Sequence, residues 1–297
     1  MLLGYNTWSM PSVGIDDALA HLAQLGYDSI ELTICPGWPT DAAALDAAEL
    51  SRIKSLIAAH GLVLSGCTGN TPILVEADAW EENRRTLERC FDFAAAMKTG
   101  NAPIYVATTS GLPEGGDPAT AWAGARSILV DRFGVLAEAA ARRGVTLHLE
   151  PHVATAVRRP EHARWLLGQV ASPALRLSLD ISHFEVQGDD YRTVVADLAP
   201  LAGAVEVKDE RGVYPDFEFL IPGEGEMDYA GFLRALAGAG FDGSVSVEVS
   251  KFRQVVPGYD PLAAATASYA VLARAFAEAA VPRPDSATES LFTPGKI

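Results

Sequence analysis

The chain has 297 residues, is 49% hydrophobic and carries a formal net charge of −15. That length and apolar content allow a large buried core, as one big domain or two ordinary ones. The acidic balance excludes nucleic acid and anionic membrane as partners, since both require a basic footprint, and no apolar stretch is long enough to span a bilayer. The N-terminal MLLGYNTW enters a strand without a basic n-region, so we expect a cytoplasmic protein with no secretory signal.

Taken in chain order, strand-like runs fall at 2–6, 28–33, 62–67, 103–108, 145–150, 175–180, 203–208 and 244–249. Between them the periodicity changes from two to 3.6. Helices are predicted over 16–26, 48–61, 81–100, 121–144, 160–170, 190–198, 229–240 and 262–280. Several of these helices end in Gly with a strand soon after, the pattern of a C-cap and a short connection. Strict alternation of eight such units predicts an α/β fold, a (β/α)8 barrel, over residues 1–281. An open doubly wound sheet would place a Gly-rich turn after the first strand, and YNTWSMPSVG contains none. The segment 282–297, rich in Pro, Ser and Thr, reads as an extended tail. Cys35, Cys67 and Cys90 are widely spaced and form no CxxC pair, which argues against a disulfide framework or a thiolate zinc site.

Four of the strand-like runs end in an acid: Glu150 in VTLHLEPH, Asp180 in LRLSLDISH, Glu206 in GAVEVKD and Glu248 in GSVSVEVS. In a barrel of this type the active site is built at the C-terminal ends of the strands. Strands five to eight are neighbours, so the four acids converge. Carboxylates brought together in a buried site repel unless a cation holds them. An all-oxygen set favours Mn²⁺ or Mg²⁺, with Co²⁺ or Zn²⁺ as alternatives. Glu206 and Lys208 share one face of their strand by period two, and Lys208 is expected to offset charge there and to contact substrate. His183, three residues past Asp180, and His152, two past Glu150, lie on loops within reach of a substrate hydroxyl. His148 would line the barrel one layer below Glu150. Trp8, Trp38, Phe184 and Phe252 fall in or near loops at the mouth, and the aromatic segment 209–228 suits a lid.

GYDSIEL (26–32), LEPH (149–152), LDISHF (179–184), VKD (207–209), PGEGEMDYAGFL (222–233) and VEVS (247–250) together resemble the xylose-isomerase-like barrels. That group includes sugar and sugar-phosphate isomerases, ketose 3-epimerases and inosose-processing enzymes. The resemblance runs over residues 2–280. It implies a divalent metal on Glu150, Asp180, the strand-seven position held here by Glu206, and Glu248. It also implies that Glu150 and Glu248 exchange protons with substrate carbon from opposite faces, and that His183 and Arg211 contact substrate. Relatives commonly read His-x-Lys-Asp where this chain reads Glu206-Val-Lys-Asp, which adds a carboxyl group to the site. Either Glu206 ligates the metal, or it turns away and leaves three protein ligands plus water.

The expected activity is therefore metal-dependent isomerisation or epimerisation of a small sugar, keto-sugar or inositol-like polyol. The segment 250–260 contains no tight Gly turn opening a helix to cradle phosphate, so the expected substrate is unphosphorylated, although Lys251 and Arg253 are basic. Alternatives are a lyase or dehydratase using the same enolate on a keto-sugar or cyclic keto-acid, and a barrel that binds ligand without turnover. A homo-oligomer is compatible with all three readings.

Overall fold

The computed structural model describes residues 1–99 and 104–284. Strands β1 (Leu2–Asn6), β2 (Ser29–Thr33), β3 (Val63–Thr68), β4 (Ile104–Thr109), β5 (Val145–Glu150), β6 (Leu175–Asp180) and β7 (Ala202–Val207) follow the predicted runs closely. After β7 comes an antiparallel hairpin of β8 (Asp209–Val213) and β9 (Asp216–Leu220), and then β10 (Ser244–Val247). Around the ring the order is β1-β10-β7-β6-β5-β4-β3-β2, closed and parallel throughout.

The barrel is wrapped by α1 (Ile15–Leu25), α2 (Ala47–Ala59), α3 (Ala77–Met97), α4 (Ala121–Ala141) and α5 (Pro160–Val170). The short α6 (Ser182–Glu185) precedes α7 (Tyr191–Leu198), α8 (Tyr229–Gly238), the short α9 (Lys251–Gln254) and α10 (Pro261–Ala279). Their boundaries are written in the sequence. Asp46, Asp190, Asp228 and Asp260 cap helix N-termini by accepting from backbone N–H groups one turn in. Gly26 ends α1 at φ 98°, a left-handed value that glycine adopts without a Cβ penalty.

Alternation along the strands divides two environments. Outward residues such as Ile30, Leu32, Leu147, Leu149, Leu177, Leu179, Val205, Val207, Val245 and Val247 are buried beneath the helices and form the main core. Inward residues are mostly polar: Asn6, Ser29, Glu31, Thr68, His148, Ser178, Glu206, Ser244 and Ser246 are all buried. The usual interior of such a barrel is filled by branched apolar side chains. Here small residues make room for rings instead. A Cβ on Gly66 would lie 2.1 Å from the Tyr105 ring, and one on Gly203 would lie 2.4 Å from the His148 ring. Tyr105 and His148 stack inside the barrel with centroids 4.2 Å apart.

Two expectations are adjusted. The 209–228 segment is not a plain loop: alternation in DFEFL pairs it with DERGV as a hairpin over the mouth. Of the expected tail, residues 285–297 lie outside the described residues, while Arg283 ties residue 28 and the Gly26 carbonyl at the opposite end of the barrel. Cys35, Cys67 and Cys90 are free and buried. No helix among the described residues is long and apolar enough to cross a membrane.

Candidate active site

The ends of β5, β6, β7 and β10 bring the four strand-end acids together. Asp180 and Glu206 are register partners across β6 and β7. Glu248 follows β10, and its N–H donates to Val207 O at 3.0 Å, extending the ladder one residue. All four acids are buried, and so is Lys208 beside them.

Lys208 organises the group. Its ammonium bonds Asp180 Oδ2 and lies 3.5 Å from Glu248 Oε1. The other Asp180 oxygen accepts from Ser182 N at 3.0 Å and Ser182 Oγ at 2.6 Å. Burial works against a charge on Asp180, but Lys208, His183 and the Ser182 hydrogen bond outweigh it and hold the carboxyl well below the usual range. Burial likewise opposes charge on Lys208, and Asp180, Glu248 and Glu150 reverse that, raising its pKa. Burial pushes Glu248 up to about 8, against the pull of Lys208, and pushes Glu150 up as well.

Beneath this layer lies a second acid pair. Glu206 accepts from Asn6 Nδ2 at 2.8 Å and from Ser178 Oγ at 3.4 Å. Its acidic neighbour is Glu31, a fully buried β2 residue that accepts from Thr68 Oγ1 and Tyr105 OH, both at 2.7 Å. Burial and then Glu31, Glu248, Glu150 and Asp180 drive Glu206 well above the ordinary carboxyl value, which favours its neutral form. Burial raises Glu31 to about 7. Asn6 spans both layers, donating also toward Glu248 Oε2 at 3.4 Å. Glu31 and Asn6 were not singled out from the sequence as site residues. The signal was present for Glu31: alternation in SIELT sets it on the face of Ser29 and Thr33, opposite Ile30 and Leu32.

The histidines form one wall. His183 Nε2 lies 3.3 Å from Glu150 Oε1 and 3.7 Å from Asp180 Oδ2, and neither of its ring nitrogens has a hydrogen-bond partner. His152 packs against it, ring centroids 3.8 Å apart. Burial lowers both imidazoles to about 3, so both are neutral. Phe219 of the hairpin covers them, edge-on to His183 at 5.0 Å and 5.3 Å from Lys208 Nζ. Trp8 and Trp38 stack on one another at 4.6 Å.

The structure does not bring every expected residue to this centre. Arg211 is exposed on β8 and donates to Glu224 O at 2.6 Å. Phe184 is fully buried in the core, and Phe252 is exposed on α9. Arg253 pairs with Glu224.

A family model described as xylose isomerase-like TIM barrel matches residues 19–275. The chain belongs to this family. Among its relatives is a putative hydroxypyruvate isomerase of Streptomyces coelicolor, 27% identical over 270 residues, covering 82% of this chain and 86% of that protein. A fructoselysine 3-epimerase of Escherichia coli is 26% identical over 259 residues, covering 84% of this chain and 90% of that one. A solved D-psicose 3-epimerase shares the fold with a TM-score of 0.75, at 16% identity over 94% of this chain and 99% of that one.

Members of this family typically use a metal, and the donor set here suits one. Glu150, Asp180 and His183 each offer a ligand atom, all within 4.8 Å of one another, and the His183 nitrogens have no competing hydrogen bond. Carboxylate oxygens with one imidazole accommodate Mn²⁺, Mg²⁺, Co²⁺ or Zn²⁺.

Proposed function

We propose that the protein is an isomerase or epimerase of a small, unphosphorylated sugar, keto-sugar or inositol-like polyol, working through an enediolate with the help of a divalent metal. The observation that carries the reading is the placement of Glu150 and Glu248 around the buried Asp180–Lys208 pair at the barrel mouth. The named activities of the relatives, isomerase and epimerase, support the same class.

Glu150, Asp180 and Glu248, with His183 beside them, would hold the cation, Mn²⁺ or Mg²⁺ by preference. When bound it polarises adjacent substrate oxygens and acidifies the neighbouring C–H. Glu150 and Glu248 move the proton. Burial raises both, so each sits nearer neutrality than an ordinary carboxyl group, where one carboxylate accepts a proton and its partner returns one. Return to the opposite face of the same carbon is epimerisation, and return to the adjacent carbon is isomerisation. Neutral His152 and His183 supply hydrogen bonds to substrate hydroxyls without adding charge. Phe219 and the Trp8–Trp38 wall give apolar surface for sugar C–H faces and exclude water.

The test is incubation with a panel of ketoses and Mn²⁺ in D₂O, followed by NMR. Solvent deuterium on carbon in a product of unchanged composition is expected. Glu150→Gln and Glu248→Gln should each slow turnover by about 10²–10⁴-fold. Wild-type rates in both variants would refute the paired-acid mechanism, and an alkene or loss of water would assign a lyase instead.

A further inference from the structure

Among the described residues Lys208 is the one cation in contact with the strand-end acids, and its contacts have a consequence for metal loading. Asp180 has no free oxygen: Oδ1 is taken by the Ser182 N–H and hydroxyl, and Oδ2 by the Lys208 ammonium. The same ammonium is 3.5 Å from Glu248 Oε1, while Glu248 Oε2 faces the Asn6 amide at 3.4 Å. A dication on Asp180 Oδ2 at the usual oxygen distance would stand within about 5 Å of the ammonium. Lys208 is buried, so little water is at hand to screen that repulsion. We propose that Lys208 is a built-in competitor for the divalent cation: it holds Asp180 and Glu248 in the metal-free protein and must withdraw from Asp180 for the metal to bind.

This inference rests on the metal-assisted reading above and concerns how that site is filled. The fold supplies a place for the withdrawn ammonium. The Phe219 ring lies 5.3 Å from Nζ, a distance at which an aromatic face attracts a cation, and Phe219 belongs to the hairpin rather than to the barrel wall. Lys208 also stands two residues past Glu206 on the inward face of the same strand segment, so both departures from a simple metal cage come from one short stretch of chain.

The experiment is isothermal titration of Mn²⁺ into metal-stripped wild type and Lys208→Met, which keeps the side chain's bulk and removes its charge. The variant is expected to bind Mn²⁺ at least tenfold more tightly. Equal or weaker binding would overturn the proposal. Should Lys208→Met fail to fold, a crystal structure of the wild-type Mn²⁺ complex decides the matter. Nζ displaced from Asp180 Oδ2 supports competition, and Nζ still bonded there beside the metal overturns it. Turnover is not part of either readout, so a protein that binds Mn²⁺ as expected and converts no sugar refutes the functional reading alone.

Discussion

His148→Phe tests whether the polar interior of the barrel is as dry as its packing implies. His148 is 2% exposed, stacked on Tyr105, and its Nδ1 has no hydrogen-bond partner. Burial, and then the charge of Arg176, lower its pKa from 6.5 to about 3. The fold therefore holds it neutral, while the unfolded chain takes up a proton as the pH falls below 6.5. More protons on the unfolded state means stability falls with falling pH, from about 6.5 down to the folded value. Between about pH 7.5 and pH 5.5 the unfolded-state term changes by roughly a factor of ten, so this one ring costs about 1.4 kcal/mol of stability. Any folded value below about 4.5 gives nearly the same figure, because the native ring then stays unprotonated across the whole window. Urea unfolding of wild type and His148→Phe at the two pH values measures it. Packing differences between the rings cancel when each protein is compared with itself. Wild type should lose about 1.4 kcal/mol more than the variant over that interval. Parallel losses in the two proteins would show that the ring is protonated in the fold, and the dry-interior reasoning would fail.

Other perturbations read other parts of the same interior. Gly66→Ala puts a Cβ 2.1 Å from the Tyr105 ring and should destabilise by at least about 1–3 kcal/mol in the same urea assay. Asp180→Ala leaves the Lys208 ammonium buried without its main partner and should cost about 3–5 kcal/mol, seen as a lowered unfolding midpoint. Asn6→Ala removes the amide that serves Glu206, Glu248 and Thr68. It should cost about 1–3 kcal/mol and slow deuterium incorporation, and an unchanged rate would place Asn6 outside the proton-transfer machinery.

The barrel was legible because each strand announces itself twice, by apolar outward positions and by a helix of 3.6 periodicity on either side. The acids at 150, 180, 206 and 248 were legible for a related reason: a charged residue closing a buried strand has few places to go but the mouth. What lies inside the ring was harder to read. Glu31 becomes part of the centre only through hydrogen bonds to Thr68 and Tyr105 from two other strands, contacts set by barrel register rather than local pattern. Arg211 shows the converse. Its sequence position suggested the mouth, but the turn into the β8–β9 hairpin points it outward to the Glu224 carbonyl.

Glu206 illustrates how far composition alone misleads about charge. Read from the sequence, glutamate in place of histidine adds a negative charge to a site already rich in them. The structure surrounds that carboxyl with Glu31, Glu248, Glu150 and Asp180 in a buried setting, and burial together with those acids favours its neutral form. A protonated carboxyl is a neutral group with one donor and remaining acceptor capacity, as a neutral imidazole is. Glu206 uses its acceptor capacity on Asn6 and Ser178. The fixed countercharge is placed one step higher, on Lys208, against the acid that keeps its charge. The two inward residues of the Glu206-Val-Lys208 stretch thus divide the work, a neutral hydrogen-bonding floor and a cation above it, and the site's charge balance follows from the pair rather than from either residue alone.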